Sequence, residues 1–185
     1  MVRHGETEWA DSGQHTSHTD VPLTDAGRQQ AAALGEVLNR HPFAAVLSSP
    51  LSRALDTCRL AGFGDRVELT DDLREWDYGE DEGRTTAEIQ VDRPGWTIWT
   101  AGPRGGETID EVAARADRIV ARARAAGGDV LCFAHGHVLR IVAARWLGLA
   151  APDGSLLALD PATISILGWE HASPVIERWN QPLEG

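Results

Sequence analysis

Three short runs in this sequence set residues able to grip a phosphate beside residues able to take one. Arg3-His4-Gly5 follows Val2, Ser48-Ser49 closes the apolar run FAAVLSS with Arg53 one helical turn further on, and His135-Gly136 follows the apolar run DVLCFA. Guanidinium groups present planar forks of donors that match phosphate oxygens. An imidazole held between two of them is kept neutral, because nearby positive charge disfavours the imidazolium. A bare ring nitrogen is a nucleophile. Arg3, Arg53 and His135 could therefore hold a phosphoryl group while His4 attacks it, with His135 donating as the charge shifts. The leaving oxygen then needs a proton. Glu75, in LREWDYG, follows a predicted strand and precedes Trp76, and a carboxyl in apolar, partly dry surroundings keeps its proton more readily. A lone His, Arg or Glu at such a place is an ordinary surface residue. The joint occurrence at successive strand ends is what points to chemistry.

A fold must gather these residues, which lie far apart in the chain. In open α/β sheets, ligands bind beyond the carboxyl ends of the strands, and the helix starts expected after Ser49 and His135 would add positive potential there. Helical and strand patterns alternate, predicting one α/β domain over 1–185 with no repeat or linker. A helix is predicted from Asp25, capped by Thr24, with Ala31, Leu34 and Leu38 inward. FAAVLSS reads as a buried strand, and Pro50 opens a helix that Ser49 is placed to cap. VELTDDL is a brief strand. Residues 79–106, rich in Gly, Pro, Trp and charge, read as an excursion with short helical pieces. Thr108 and Glu111 form a capping box for a long helix that turns Ile109, Val112, Ala116, Ile119 and Val120 to the core and stops at Gly127-Gly128. DVLCFA is apolar throughout, as in a strand covered on both faces. A helix over Val138–Leu147 and strands over Thr163–Trp169 and Val175–Trp179 complete the prediction.

Composition narrows the partners. The 185 residues carry 28 acidic against 17 basic side chains, a formal charge of −11, which argues against general binding to nucleic acid. An anionic substrate must then be met by a local arginine cluster within an acidic surface. No apolar run is long enough to cross a bilayer and no secretory leader is visible, so the cytoplasm is the expected location. Cys58 and Cys132 lie among apolar residues and read as buried, reduced thiols.

The runs VRHGETEW, SSPLSRALDT, LREWDYGEDEG, GGET and FAHGHVLR together resemble the histidine phosphatase superfamily, also called phosphoglycerate-mutase-like, from Val2 to about Leu147. The resemblance implies a three-layer α/β/α fold with a mostly parallel central sheet. It implies His4 as the nucleophile that becomes phosphohistidine, Arg3, Arg53 and His135 as phosphoryl ligands, and Glu75 as proton donor and then base. It implies no metal and no organic cofactor.

SGQHTSHTDVPLTDAG, REWDYG and HGHVLR are similar to the branch that contains fungal sedoheptulose-1,7-bisphosphatase and actinobacterial acid phosphatases. That likeness implies a substrate pocket lined by His15, Thr16, Tyr78, Gly136 and His171, with Arg140 reaching a distal phosphate. Mutases of the superfamily carry Asn where this chain has Ala10, and an RHYG-like run where it has Trp76-Asp77-Tyr78-Gly79. Both departures favour a phosphatase over a mutase. A metal-dependent hydrolase built on His135-Gly136-His137 lacks carboxylates at ligand spacing, and a phosphate sensor would need neither nucleophile nor acid. Relatives have a full strand before RHG where this chain has only Met1 and Val2, so a longer first strand is expected to raise stability. The expected partner is a small phosphorylated substrate; a homodimer is compatible with the sequence, and neither nucleic acid nor membrane is expected.

Overall fold

Short strands alternate with longer helices along the chain, and the computed structural model describes residues 1–183. In order these are β1 (Val2–Arg3), α1 (Glu8–Ser12), α2 (Asp25–Leu38), β2 (Ala45–Ser48), α3 (Ser52–Leu60), β3 (Val67–Leu69), α4 (Thr86–Asp92), α5 (Ile98–Ala101), α6 (Ile109–Ala125), β4 (Val130–Ala134), α7 (Gly136–Trp146), β5 (Ile164–Glu170) and β6 (Ser173–Gln181). The six strands form one sheet in the order β3-β2-β4-β1-β5-β6. The first four run parallel, and β5 and β6 are antiparallel additions. Among the described residues no helix is long and apolar enough to cross a membrane.

Alternation along the strands divides the core between two faces. Leu47, Cys132 and Ala134 pack with Val112, Ala116, Ile119, Leu139 and Val142 of α6 and α7. Val46, Leu131 and Phe133 point the other way, onto Leu34, Leu38, Cys58 and Phe63 from the α2–α3 side. The sheet is therefore the middle of three layers. Its inner strands β2 and β4 read as apolar runs because both faces are covered. Cys58 and Cys132 are free and buried, and burial pushes the Cys58 thiol up to about 12.

Local capping chemistry sets the helix starts. Thr24 accepts from Gly27 N at α2, and the reciprocal Thr85–Glu88 and Thr108–Glu111 pairs open α4 and α6. One expectation is corrected. Ser49 does not cap α3: the helix starts at Ser52 with Leu51 at its cap position, so Ser49 lies outside the first turn and its oxygen accepts from the Leu51 backbone N–H at 3.3 Å. Ile109 packs against the core as expected, half-buried at the open first turn of α6. Helix α7 begins at Gly136, two residues earlier than expected.

The excursion over 79–106 is short helical pieces held by a buried charge. Asp81 is 1% exposed; it takes Arg93 at 2.9 Å and the Arg104 backbone N–H at 3.1 Å. Strand β1 is two residues long but central, with Val2 paired to Phe133 on one side and Ile164 on the other. The Met1 ammonium donates to Ser165 O at 2.8 Å, and burial lowers its pKa. The loop after β1 lies so close to α2 that a side chain on Gly27 would meet Glu6 O at 2.2 Å, and one on Gly5 would meet Gly27 O at 2.5 Å.

Candidate active site

At the carboxyl ends of β1, β2 and β4 the sheet gathers two imidazoles and two guanidiniums. His4 continues the β1 ladder, donating from its backbone to Ala134 O at 2.9 Å. Its ring Nδ1 lies 2.8 Å from Gly5 O. A carbonyl can only accept, so Nδ1 carries the proton and Nε2 is bare. Burial pushes this imidazole well below its ordinary pKa, and Arg3 and Arg53 push the same way. The resting ring is thus neutral and nucleophilic. Gly5 N donates to Thr57 Oγ1 at 3.0 Å, and Thr57 donates to Arg53 O at 2.7 Å, which ties the histidine loop to the helix that brings Arg53.

His135, with no exposure, caps the start of α7 with its ring centroid 5.2 Å from that of His4. Burial holds it neutral as well, followed by the charges of Arg53 and Arg3. Arg53 is fully buried and anchored by one loop: Nη2 donates to Thr16 O at 3.1 Å and Ser17 O at 3.2 Å, and Nη1 to Thr19 O at 3.4 Å. Arg3 is anchored by Leu159 O. Three buried polar atoms here have no partner among the described residues: Arg3 Nε, Arg53 Nε and His135 Nδ1. An unpaired buried donor costs about 1–3 kcal/mol. An oxyanion among these groups would remove that cost.

Glu75 lies at the same helix start. Its Oε1 accepts from Trp76 N and Val138 N, each at 2.9 Å, and Oε2 accepts from His137 N at 3.0 Å. Glu75 is buried beside Trp76 as expected, but its setting is not apolar: three backbone donors aim this carboxylate. A side chain on Gly136 would sit 3.6 Å from Arg3 and 3.7 Å from Glu75 Oε2, so the carboxylate borders the arginine cluster.

The other expected pocket residues separate. His15 is buried with its ring 4.8 Å from Tyr78. Burial raises the Tyr78 phenol well above its ordinary pKa, Glu75 adding to it, so the hydroxyl keeps its proton; it lies 2.7 Å from His137 Nδ1. Thr16 supplies its carbonyl to Arg53 while its hydroxyl donates to Gln14 O. Arg140 lies 4.5 Å over the Trp99 ring and gives Nε and Nη2 to Gly154 O and Ser155 O. His171 is corrected. It is exposed, at φ 56°, in the β5–β6 turn. The other end of β5 adjoins the site, where Ala162 N donates to Arg3 O and His4 O. The seven residues of β5, at about 3.3 Å each, put His171 roughly 20 Å away.

Two residues escaped sequence reasoning. His137 packs against Trp99 at 5.1 Å and Tyr78 at 5.8 Å. The HGH run brought it forward only as a metal candidate, yet among the described residues no three potential metal-binding side chains cluster. Ser49 bonds the His135 ring at 2.8 Å, and no local signal marks that pairing. Beside Glu75 opens a cleft of about 350 Å³ lined by Ser17, His18, Leu51, Arg74 and Arg115, with His18 and Asp77 paired across it at 3.2 Å.

A mostly parallel α/β sheet here sets a neutral histidine between guanidiniums, donors of the kind that match phosphate oxygens, with a carboxylate beside them. The chain belongs to the histidine phosphatase superfamily (branch 1), whose pattern it matches over residues 1–182. It is 44% identical over 175 residues to an acid phosphatase of Mycobacterium tuberculosis, covering 92% of this chain and 86% of that one. It is 38% identical over 182 residues to sedoheptulose 1,7-bisphosphatase of Saccharomyces cerevisiae, covering 80% and 67%. A solved structure of an open reading frame product from Mycobacterium tuberculosis superimposes with a TM-score of 0.92 at 41% identity, covering 98% and 95%. A mycobacterial glucosyl-3-phosphoglycerate phosphatase in complex with VO3 does so with a TM-score of 0.86 at 31% identity, covering 98% and 97%.

Proposed function

We propose that this protein is a metal-independent phosphatase that hydrolyses small phosphomonoesters, sugar phosphates and bisphosphates among them, through a phosphohistidine on His4. One observation carries the reading: the bare Nε2 of His4 shares its burial site with the unpartnered Arg3 Nε, Arg53 Nε and His135 Nδ1. In this reading the phosphoryl oxygens take those donors. Nε2 attacks phosphorus in line as the bond to the ester oxygen breaks. Glu75, protonated for this step, gives its proton to that oxygen. Water then attacks phosphorus as Glu75 takes a proton from it, the new P–O bond forms as the P–Nε2 bond breaks, and inorganic phosphate leaves with His4 restored. The fixed donors act where charge moves during transfer, which is where preorganised electrostatics accelerates most.

The substrate class is supported by the relatives named for sedoheptulose 1,7-bisphosphate and glucosyl-3-phosphoglycerate. Arg140 is close enough for its charge to be felt by Glu75 and Arg3, and its Nη1 makes no hydrogen bond among the described residues. We read it as the contact for a second anionic group. Two free, buried thiols suit a reducing compartment, and we place the protein in the cytoplasm.

The test is a panel of sugar monophosphates and bisphosphates, assayed for released inorganic phosphate in the presence of chelator. Acid-labile labelling on His4 and loss of turnover in His4→Ala are expected. Parent-rate hydrolysis by His4→Ala overturns the reading. Arg140→Ala should lose preference for bisphosphates and keep activity on monophosphates; an even loss on both removes the distal role.

A further inference from the structure

We propose that Ser49 is a positioning residue that dictates which ring nitrogen of His135 carries the proton, and hence what His135 presents to the phosphoryl group; this rests on the role given to His135 above. The two residues are 86 apart in sequence, yet Ser49 Oγ lies 2.8 Å from His135 Nε2. The sheet makes the contact. Ser48 on β2 is registered with Phe133 on β4, Ser49 N donates to Phe133 O at 3.0 Å, and each strand then releases its next residues into the same space.

A tally of donors and acceptors decides the tautomer. The Ser49 oxygen already accepts a hydrogen bond from Leu51 N at 3.3 Å. Its side chain is fully buried, and its only other hydrogen-bond contact among the described residues is the His135 ring. Suppose Nε2 carries the proton and donates to Ser49. Then the buried serine O–H has no acceptor, and His135 Nδ1, which has no partner, has no donor. Two groups are left unmatched. Suppose instead that the serine donates to a bare Nε2. Then serine and Nε2 are both matched, and only the Nδ1–H is left over. The second arrangement leaves fewer buried groups unsatisfied. It also turns an N–H, rather than a lone pair, toward the site that must hold an anion. An imidazole in the other tautomer would set a lone pair against the phosphoryl oxygens and repel them.

The experiment reads the tautomer directly in the resting protein. Long-range proton–nitrogen correlation spectra of histidine-labelled protein, with His135 assigned by its absence in His135→Gln, should show Nδ1 protonated and Nε2 bare. This readout needs no turnover, so it stands or falls separately from the phosphatase reading. In Ser49→Ala the His135 ring should switch to, or mix with, the Nε2–H tautomer. Turnover should fall by roughly 10- to 100-fold, as when a group orienting a functional histidine is removed. Inhibition by orthovanadate should weaken in parallel while KM changes little, because the lost donor matters most in the transition state. Ser49→Thr, which keeps the hydroxyl, should restore both. A protonated Nε2 in the parent protein overturns the proposal. So does a Ser49→Ala ring that keeps its tautomer while only thermal stability drops. Should Ser49→Thr fail to fold, the parent spectrum alone still decides.

Discussion

Histidines that the fold keeps neutral should make this protein lose stability in mild acid, and the size of the effect can be worked out. The rings of His4, His15, His135 and His137 all have pKa values lowered from their ordinary value, with burial the largest cause in each. For a base depressed in the folded state the sign is as follows. At pH above about 6.5 the ring is neutral in both states and costs nothing. As pH falls below that, the unfolded chain binds a proton that the native ring refuses, so stability drops. Between pH 7.0 and 5.5 an unfolded ring of pKa about 6.5 gains about 1.3 kcal/mol from protonation. The three rings held well below their ordinary value, His4, His135 and His137, together cost about 4 kcal/mol, and His15, lowered less, adds to that; this is a large share of the 5–15 kcal/mol usual for a folded domain. The assay is urea unfolding at the two pH values, in buffers without phosphate, because an anion that fills the site would stabilise the native state by binding. His137→Gln should take about a quarter of the loss away. A difference between the two pH values below about 1 kcal/mol, less than one ring, would refute the assignment of neutral buried histidines.

Three further outcomes follow from the geometry. Glu75→Gln should cut turnover about 10²- to 10⁴-fold on alkyl phosphates and much less on nitrophenyl phosphate, whose leaving oxygen needs no proton; equal losses on both would remove the acid role. Glu82 binds Ser17 N, Ser17 Oγ and Thr19 N, fixing the loop whose carbonyls hold Arg53, so Glu82→Ala should raise KM several-fold with a smaller change in kcat, and an unchanged KM would count against the loop's part in binding. Gly27→Ala would drive a methyl to 2.2 Å from Glu6 O, and overpacking of this order should cost about 3 kcal/mol, lowering Tm by roughly 6–12 °C; a melt within 2 °C of the parent would show that the loop beside His4 can shift freely.

Much of the frame was legible in the residues because it is written over short spans. The Thr24 cap, the Thr108–Glu111 box and the inward stripe of Ala31, Leu34 and Leu38 involve residues no more than one or two turns apart. Arg3, His4, Arg53 and His135 could be grouped because strand ends converge in any parallel α/β sheet, whatever the strand order. His171 was misplaced because a hairpin carries its turn to one end of the sheet or the other, and nothing local says which.

By itself, then, the sequence determined the helix starts, the apolar strands and the residue types that could meet at the strand ends. Tertiary structure alone decided who touches whom there. The neighbouring of β2 and β4 made Ser49 a partner of His135, and the approach of α7 added two backbone donors to that of Trp76 on Glu75, in place of an apolar pocket. The physical reason is that hydrogen bonds across 60 to 90 residues depend on strand order and on which groups burial leaves without water, and neither is encoded in any short stretch of chain.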